Sequence, residues 1–110
     1  MKSFFDRLPD MECLRGDTLG NFVISADTGS FDGCRMQVII ARKDAPAVAV
    51  ICKECELSGG EFYVLISSND TLELCEGTHI IHFRLIDENG LSYRKLAGNL
   101  YVHQTAQGGE

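Results

Sequence analysis

The chain has 110 residues, of which 45% are hydrophobic and 24% charged, as expected of one soluble globular domain with one core. The formal net charge is −6 and no more than two basic residues are adjacent, which argues against the concentrated positive surface that nucleic acids and anionic membranes select. No apolar run is long enough for a membrane span or a secretion signal, so we expect synthesis in the cytoplasm.

Apolar and polar residues alternate with a period of two along the first half of the chain, as in half-buried strands. In the clearest case, Cys34, Met36, Val38 and Ile40 share one face. The segment FYVLIS is apolar on both faces, which predicts a strand at the centre of a packed sheet. The strands predicted in this half are residues 22–25, 34–43, 47–54 and 62–67, with a loop over 26–33.

The alternation stops at the segment SSNDTLEL, which predicts a single helical turn. Serine and asparagine are favoured N-caps because their side chains accept hydrogen bonds from the first backbone N–H groups of a helix. We therefore expect Ser68 or Asn69 to cap this turn. Leu72 and Leu74 are expected to point inward.

A long hairpin is predicted over residues 77–103, because alternating strands flank the Asn89-Gly90 pair that favours tight turns. Gly98 interrupts the second strand, which predicts a bulge or the close approach of another backbone. The first strand places on one face His79, Ile81, Phe83 and Leu85, and on the other His82 and Arg84.

About seven short strands and one short helical turn predict an all-β fold, an immunoglobulin-like two-sheet β-sandwich. We expect the sandwich to occupy residues 11–103. An N-terminal arm would precede it over residues 1–10, and a flexible polar tail would follow over residues 104–110.

The five cysteines predict reduced thiols rather than a disulfide framework, because their number is odd and no signal peptide is visible. Several of them are expected to serve as small apolar core residues. They are Cys13, Cys34, Cys52, Cys55 and Cys75.

Two of these cysteines form a C-x-x-C motif, Cys52 to Cys55, which in redox proteins opens a helix that lowers the thiol pKa. Here the motif follows a strand and precedes a Gly-Gly turn, so we interpret it as two structural cysteines at a strand end. A zinc site combining this pair with His79 and His82 is the alternative. Residues three apart in a strand diverge, however, and a partly buried His79 explains the pattern better.

The remaining polar residues show no arrangement typical of catalysis. Ser67, Ser68 and Asp70 have no histidine nearby in sequence, and no glycine-rich phosphate loop opens a helix. The acidic pairs Glu54/Glu56 and Asp87/Glu88 are interpreted as solvated loop charges. We therefore predict no catalytic, cofactor-binding or metal-binding residue, and a protein that is not an enzyme.

The last forty residues carry a more detailed pattern of turn, strand and hairpin positions. It consists of Thr71, Leu72, Leu74, Gly77, Thr78, Ile81, Phe83, Leu85, Asp87, Gly90, Tyr93, Leu96, Gly98, Leu100 and Val102. This pattern resembles the N-terminal immunoglobulin-like domain of phage baseplate upper proteins and of related prophage tail-associated proteins. Such domains also begin with an RGDT-like segment, matched here at residues 15–18, so the resemblance covers roughly residues 11–103. His79 departs from it, where the family often has an aromatic residue, and so does the high cysteine content.

The tripeptide RGD at residues 15–17 is also the motif of integrin-type adhesion ligands. An adhesion loop is expected at an exposed tip with flexible flanks, whereas Leu14 and Leu19 flank this one. The resemblance places it at the first strand and its turn. There Gly16 would supply a permissive backbone, and the two residues after it would bond nearby amides.

The resemblance implies a non-enzymatic structural or protein-interaction module of a phage or prophage tail or baseplate, made in the bacterial cytoplasm and carried in the virion. Its partners would be other tail or baseplate proteins, or a second copy of itself. The uncharged segment Ala47–Cys52 is the candidate sheet edge for such a contact, with Val50 at its centre. The alternatives are a bacterial surface or adhesion module of immunoglobulin type and a small zinc- or thiol-dependent protein.

Overall fold

The structure, a computed structural model, describes residues 6–25 and 31–104, and for residues 6–7 and 93–95 it describes the backbone alone. Nine strands in two sheets and one short helix lie within this part of the chain, which confirms the all-β immunoglobulin-like sandwich. The elements are β1 (Asp6–Arg7), β2 (Met11–Leu14), β3 (Gly20–Ser25), β4 (Arg35–Arg42), β5 (Ala49–Glu54), β6 (Glu56–Ser58), β7 (Glu61–Ile66), α1 (Ser68–Leu72), β8 (Gly77–Ile86) and β9 (Ser92–His103).

The larger sheet has the order β1-β9-β8-β4-β5, and β2 also pairs with β9. β1 and β2 run parallel to β9, whereas the other neighbours are antiparallel. Within the described residues, strand pairing thus includes Asp6, inside the segment interpreted as an arm. The smaller sheet has the order β3-β7-β6. Residues 26–30 of the predicted loop and 105–110 of the predicted tail lie outside the described residues.

A strand that the sequence does not predict follows the predicted strand 47–54, just before the Gly-Gly turn. β5 belongs to the larger sheet and β6 to the smaller, and buried Cys55 separates them. The Cys55 N–H still donates to the carbonyl of Met36 on β4, at 2.8 Å. β6 and the separate β1 and β2 raise the number of strands above the predicted seven.

The hairpin of β8 and β9 has the predicted strands and turn. The Asp87 carboxylate accepts the N–H groups of Asn89 and Leu91, both at 2.9 Å, so one side chain organises the connection. At Gly98 the predicted close approach is present, because an added Cβ would lie 2.8 Å from the Cβ of Leu8. The absent side chain therefore lets the N-terminal segment pack against β9.

The core lies between the sheets and is filled by the inward-facing positions of the strands. Phe83 is fully buried and meets Phe22 of the smaller sheet edge to face, with ring centroids 5.6 Å apart. The predicted phase of β4 and β8 is confirmed. The fully or nearly fully buried side chains on the inward face of these two strands are Met36, Val38, Ile40, His79, Ile81, Phe83 and Leu85. Ala41 and His82 are buried as well, although His82 was predicted to lie on the opposite, outward face.

α1 follows β7, but its details differ from the prediction. Its N-cap is Ser67, whose hydroxyl accepts the Asp70 N–H while the Asp70 carboxylate accepts the Ser67 N–H. This reciprocal capping box needs an acidic residue three positions after the cap, which only Ser67 has. Leu74 is buried as predicted, whereas Leu72 is largely exposed. Among the described residues, no helix is long and apolar enough to cross a membrane.

Candidate interaction surface

The two cysteines of the C-x-x-C motif lie in different environments. Cys52 is exposed on β5, while Cys55 is buried at the passage into β6. Burial, and secondarily the charge of Glu54, raises the pKa of the Cys55 thiol to about 11, so little reactive thiolate exists at neutral pH. Cys55 therefore lacks the electropositive setting of a redox cysteine. All five cysteines fall within the described residues, and none of them forms a disulfide.

Thiol counting on the native protein, unfolded under non-reducing conditions, should find five reactive groups. Five are expected because no two of the cysteines are bonded to each other in the fold. Even Cys52 and Cys55, which are closest in sequence, lie in different environments. A shortfall of two would reveal a disulfide and contradict the prediction.

The residues of the possible zinc site do not converge. Cys52 and His82 share the outer face of the larger sheet but are separated by Ile39 of β4. Cys55 and His79 are buried at opposite ends of β4, about 20 Å apart at the usual rise per residue. Within residues 6–25 and 31–104, no three metal-ligating side chains form a cluster.

His79 is almost fully buried between the sheets, more so than its sequence context indicated. Its Nδ1–H donates to the carbonyl of Gly77 at 3.2 Å, and its Nε2 has no hydrogen-bond partner among the described residues. Burial, with a smaller effect of Arg42, lowers the pKa of this imidazole below its ordinary value. The folded state therefore holds His79 neutral.

Lowering the pH from about 7 to about 5 should destabilise the fold through His79. The unfolded chain takes up a proton below the ordinary histidine pKa of about 6.5, whereas the folded chain resists it. The unfolded state then binds more protons, so stability falls as the pH falls. Denaturant titrations at several pH values should show a weaker dependence in His79→Phe. Equal pH dependences in the wild type and in His79→Phe would contradict the assignment.

The RGD segment lies in the turn between β2 and β3 and docks on α1. Arg15 donates from Nε to the carbonyl of Leu74 at 2.9 Å and from Nη2 to that of Leu72 at 3.0 Å. The guanidinium therefore satisfies the carbonyl of the last helical residue, which has no partner within the helix, and that of Leu74 just after the C-cap. This use of Arg15 in the fold supports the structural interpretation of the tripeptide over the adhesion interpretation.

Thr71 forms the other half of this contact. Its buried hydroxyl accepts the Gly16 N–H at 2.9 Å and donates to the Asp17 carbonyl at 2.8 Å. Gly16 has a φ of +95°, in the left-handed region that favours glycine. Gly16 thus has the predicted permissive backbone. The hydrogen bonds of this contact are formed by backbone groups and by Arg15, whereas the side chains of Asp17 and Thr18 were predicted to form them.

The edge of the larger sheet at β5 is where the sequence analysis placed an intermolecular contact. β5 is an edge strand, and Val50 is 40% exposed. Two features nevertheless make this edge a poor template. The register against β4 shifts between Ile40 and Ala41, which leaves Val50 in a bulge. Lys53 points inward across the sandwich, where its ammonium binds Asp70 at 2.8 Å. Bulges and inward-pointing charges are both known protections of sheet edges.

The Lys53–Asp70 ion pair also ties β5 to the start of α1. Burial opposes ionisation of Asp70, but the hydrogen bonds from Lys53 and Ser67 outweigh it, so its pKa lies below the usual value. The same ammonium donates to the carbonyl of Leu65 at 2.7 Å. Lys53 therefore joins the two sheets and is held in its inward position.

The smaller sheet has a different kind of edge at β3. Gly20–Ser25 pair with β7 over six residues without a register shift, and β7 is the one strand that pairs with β3 in the described part of the chain. The strand GNFVIS contains no charge and no proline. Because alternate residues of an edge strand direct their N–H and C=O groups away from the sheet, this side of β3 offers unpaired backbone groups. We call it the β3 edge.

The outer face of the smaller sheet is apolar beside this edge. The side chains of Val23, Tyr63 and Leu65, here called the outer patch, are 52%, 40% and 45% exposed. Val23 and Tyr63 are direct cross-strand partners, so the patch runs from the edge into the sheet. β7 is the central strand of its sheet as predicted, but its second apolar face is exposed, because no further layer among the described residues covers it.

No protein-family model matches the chain, and no curated protein matches it. Similar solved structures include CopC from Methylosinus trichosporium OB3b, with a TM-score of 0.51 and 12% identity over 96% of this chain and 89% of that chain. The fibronectin(III)-like modules of CbhA from Clostridium thermocellum give a TM-score of 0.50 and 11% identity over 90% of this chain and 94% of that chain. At these identities the likeness establishes the fold, an immunoglobulin-like or fibronectin III-like β-sandwich, and nothing more specific.

Proposed function

We propose that this chain is a non-enzymatic protein-interaction module of a phage or prophage tail or baseplate. The observation that carries the proposal is the outer patch, where Val23, Tyr63 and Leu65 expose apolar surface on a sheet that no described element covers. Apolar side chains grouped on one exposed face are typical of surfaces that bind another protein.

The assignment to a tail or baseplate is supported by the sequence pattern of the last hairpin. The positions that resemble the phage domains serve identifiable structural roles: Asp87 organises the turn, Gly98 admits Leu8, and Phe83 fills the core. Such a module would be made in the bacterial cytoplasm and act in the virion. Its partners would be neighbouring tail or baseplate proteins.

Co-expression with the tail and baseplate proteins encoded beside its gene tests this proposal. A stoichiometric complex should survive size-exclusion chromatography. Leu65→Lys, in the outer patch, should abolish it, because a charge in an apolar contact must be desolvated without a partner. The matched control is Leu14→Lys, which alters a leucine of similar exposure (42% against 45%) on the other sheet and should leave the complex intact.

Absence of any complex with these proteins would refute the tail role. A complex lost in Leu14→Lys but retained in Leu65→Lys would place the contact away from the outer patch. Circular dichroism of both variants confirms that neither substitution has unfolded the domain.

A further inference from the structure

The sheet edges of this sandwich differ in how well they are protected. β5 is bulged and carries the inward-pointing Lys53, and β6 has only three residues. At the other edge of the larger sheet, β1 has two residues and β2 has four, one of them Glu12. The β3 edge has neither defence, since its six residues are uncharged and regularly paired with β7. An edge of this kind is the best template in the described part of the chain for pairing with a further strand.

The outward side chains of β3 show what that strand could be. Along the outer face the order is Asn21, Val23 and Ser25, which is polar, apolar and polar. This order is symmetric about Val23. A second β3 brought up antiparallel about a twofold axis through Val23 would place Val23 against Val23 and Asn21 against Ser25. Directly paired residues share a face, so apolar meets apolar and polar meets polar.

The neighbouring strand supports the same arrangement. The Ser25 hydroxyl bonds the carboxylate of Glu61 on β7, so the Asn21 amide of a second copy would add a donor beside this polar group. On the inner face, Phe22 of one copy would pair with Ile24 of the other, again apolar on apolar. No residue of β3 is charged, so like charges do not oppose each other across the axis.

We propose that two copies of this chain associate through their β3 edges, with Val23 on the twofold axis, to form a continuous six-stranded sheet from the two smaller sheets. Twofold pairing is closed, so it gives a dimer rather than a filament. The two outer patches then lie side by side on one face and double the apolar surface available to a partner. The inference goes beyond the proposed function and does not depend on it, because both binding partners are copies of this chain.

The contact involves one short strand from each copy, so the interface is small and the dissociation constant should lie in the micromolar to millimolar range. Sedimentation velocity over increasing concentration should show the 12.1 kDa monomer converting to a dimer. Val23→Glu should raise the dissociation constant at least about tenfold, since it sets two carboxylates directly opposite each other.

Three further measurements locate the contact between the two copies. Mixing Val23→Glu with Val23→Lys should restore the dimer, because the two opposite charges meet only if position 23 faces itself. Val50→Glu is the matched control at the β5 edge, and Leu65→Lys is the control for stacking of two outer patches face to face; both should leave the dimer intact. Circular dichroism and thermal unfolding check that every variant is folded.

Several outcomes would overturn the proposal. These are a monomeric wild type up to about 1 mM, failure of the mixed variants to associate, loss of the dimer in Val50→Glu, or loss of it in Leu65→Lys. Loss in Val50→Glu would move the contact to β5, and loss in Leu65→Lys would favour face-to-face stacking. A dimer that forms as described while no tail protein binds would refute only the tail role.

Discussion

Phe83→Ala is expected to lower the free energy of unfolding by about 3–5 kcal/mol. Phe83 is fully buried at the centre of the sandwich and packs edge to face on Phe22 of the opposite sheet. Truncation would remove most of its apolar surface and leave a cavity that the paired strands around it cannot collapse to fill. Denaturant titration, with the midpoint and the slope fitted separately, measures the loss.

Tyr63→Ala is the matched control, because it truncates an aromatic side chain that lies on the outer patch instead of in the core. It should cost less than about 1.5 kcal/mol, in proportion to the smaller area that Tyr63 buries. A loss near zero for Phe83→Ala, or equal losses in the two variants, would mean that the inward phase of β8 is wrong.

Thr71→Val is the second change with a large expected effect, about 2–3 kcal/mol. The substitution keeps the shape of the side chain but removes the hydroxyl that bonds Gly16 and Asp17. A backbone donor and a backbone acceptor then lose their partners in a partly buried contact, and each costs its desolvation energy. Helix propensity contributes little, because threonine and valine rank closely.

Thr71→Ser distinguishes the contribution of the hydroxyl from that of the methyl group, because it keeps the hydroxyl and removes the methyl group. It should retain most of the stability of the wild type, and hydrogen exchange at the Gly16 amide should stay slow. In Thr71→Val this amide should exchange faster than in the wild type. Equal stability of the valine and wild-type proteins would show that the turn does not depend on this hydroxyl.

The parts of the fold that the sequence predicts correctly are those where one face of a strand is buried and the other is not. The inward positions of β4 and β8 recur every second residue, so their phase follows from the apolar residues, although Ala41 and His82 are buried on the other face. The Asn89-Gly90 turn and the close approach at Gly98 follow because each needs a residue type with a special backbone or no side chain.

Other features depend on contacts between distant segments, which sequence spacing does not reveal. Arg15 and the end of α1 are 57 and 59 residues apart along the chain. The passage of the chain between sheets at Cys55 leaves no local signal, and the short strand β6 lies where the sequence predicts the approach to the Gly-Gly turn. The inward direction of Lys53 follows from its partner Asp70, which lies on the helix.

The candidate surface also depends on contacts between distant segments, which the sequence alone does not reveal. Apolar residues on both faces of FYVLIS predict burial on both sides, but whether a layer covers the second face depends on the arrangement of the whole chain. Residues 20–25 carry no charge, but the edge predicted from the sequence is Ala47–Cys52 instead. The meaning of residues 20–25 as an unprotected edge depends on β1 and β2 pairing with β9 and leaving β3 with β7 alone among the described strands.

The parallel pairing of β1 and β2 with β9 also determines how the domain responds to tension. Asp6 pairs with Leu96 near the start of β9, and Leu14 pairs with His103 at its end. A pull applied at Asp6 and His103 therefore draws neighbouring strands in opposite directions along their lengths. Because the ladder bonds lie across the strands, such a pull loads them together in shear rather than opening them one after another. Extension between these two points therefore has to break the β1–β9 and β2–β9 ladders as a unit.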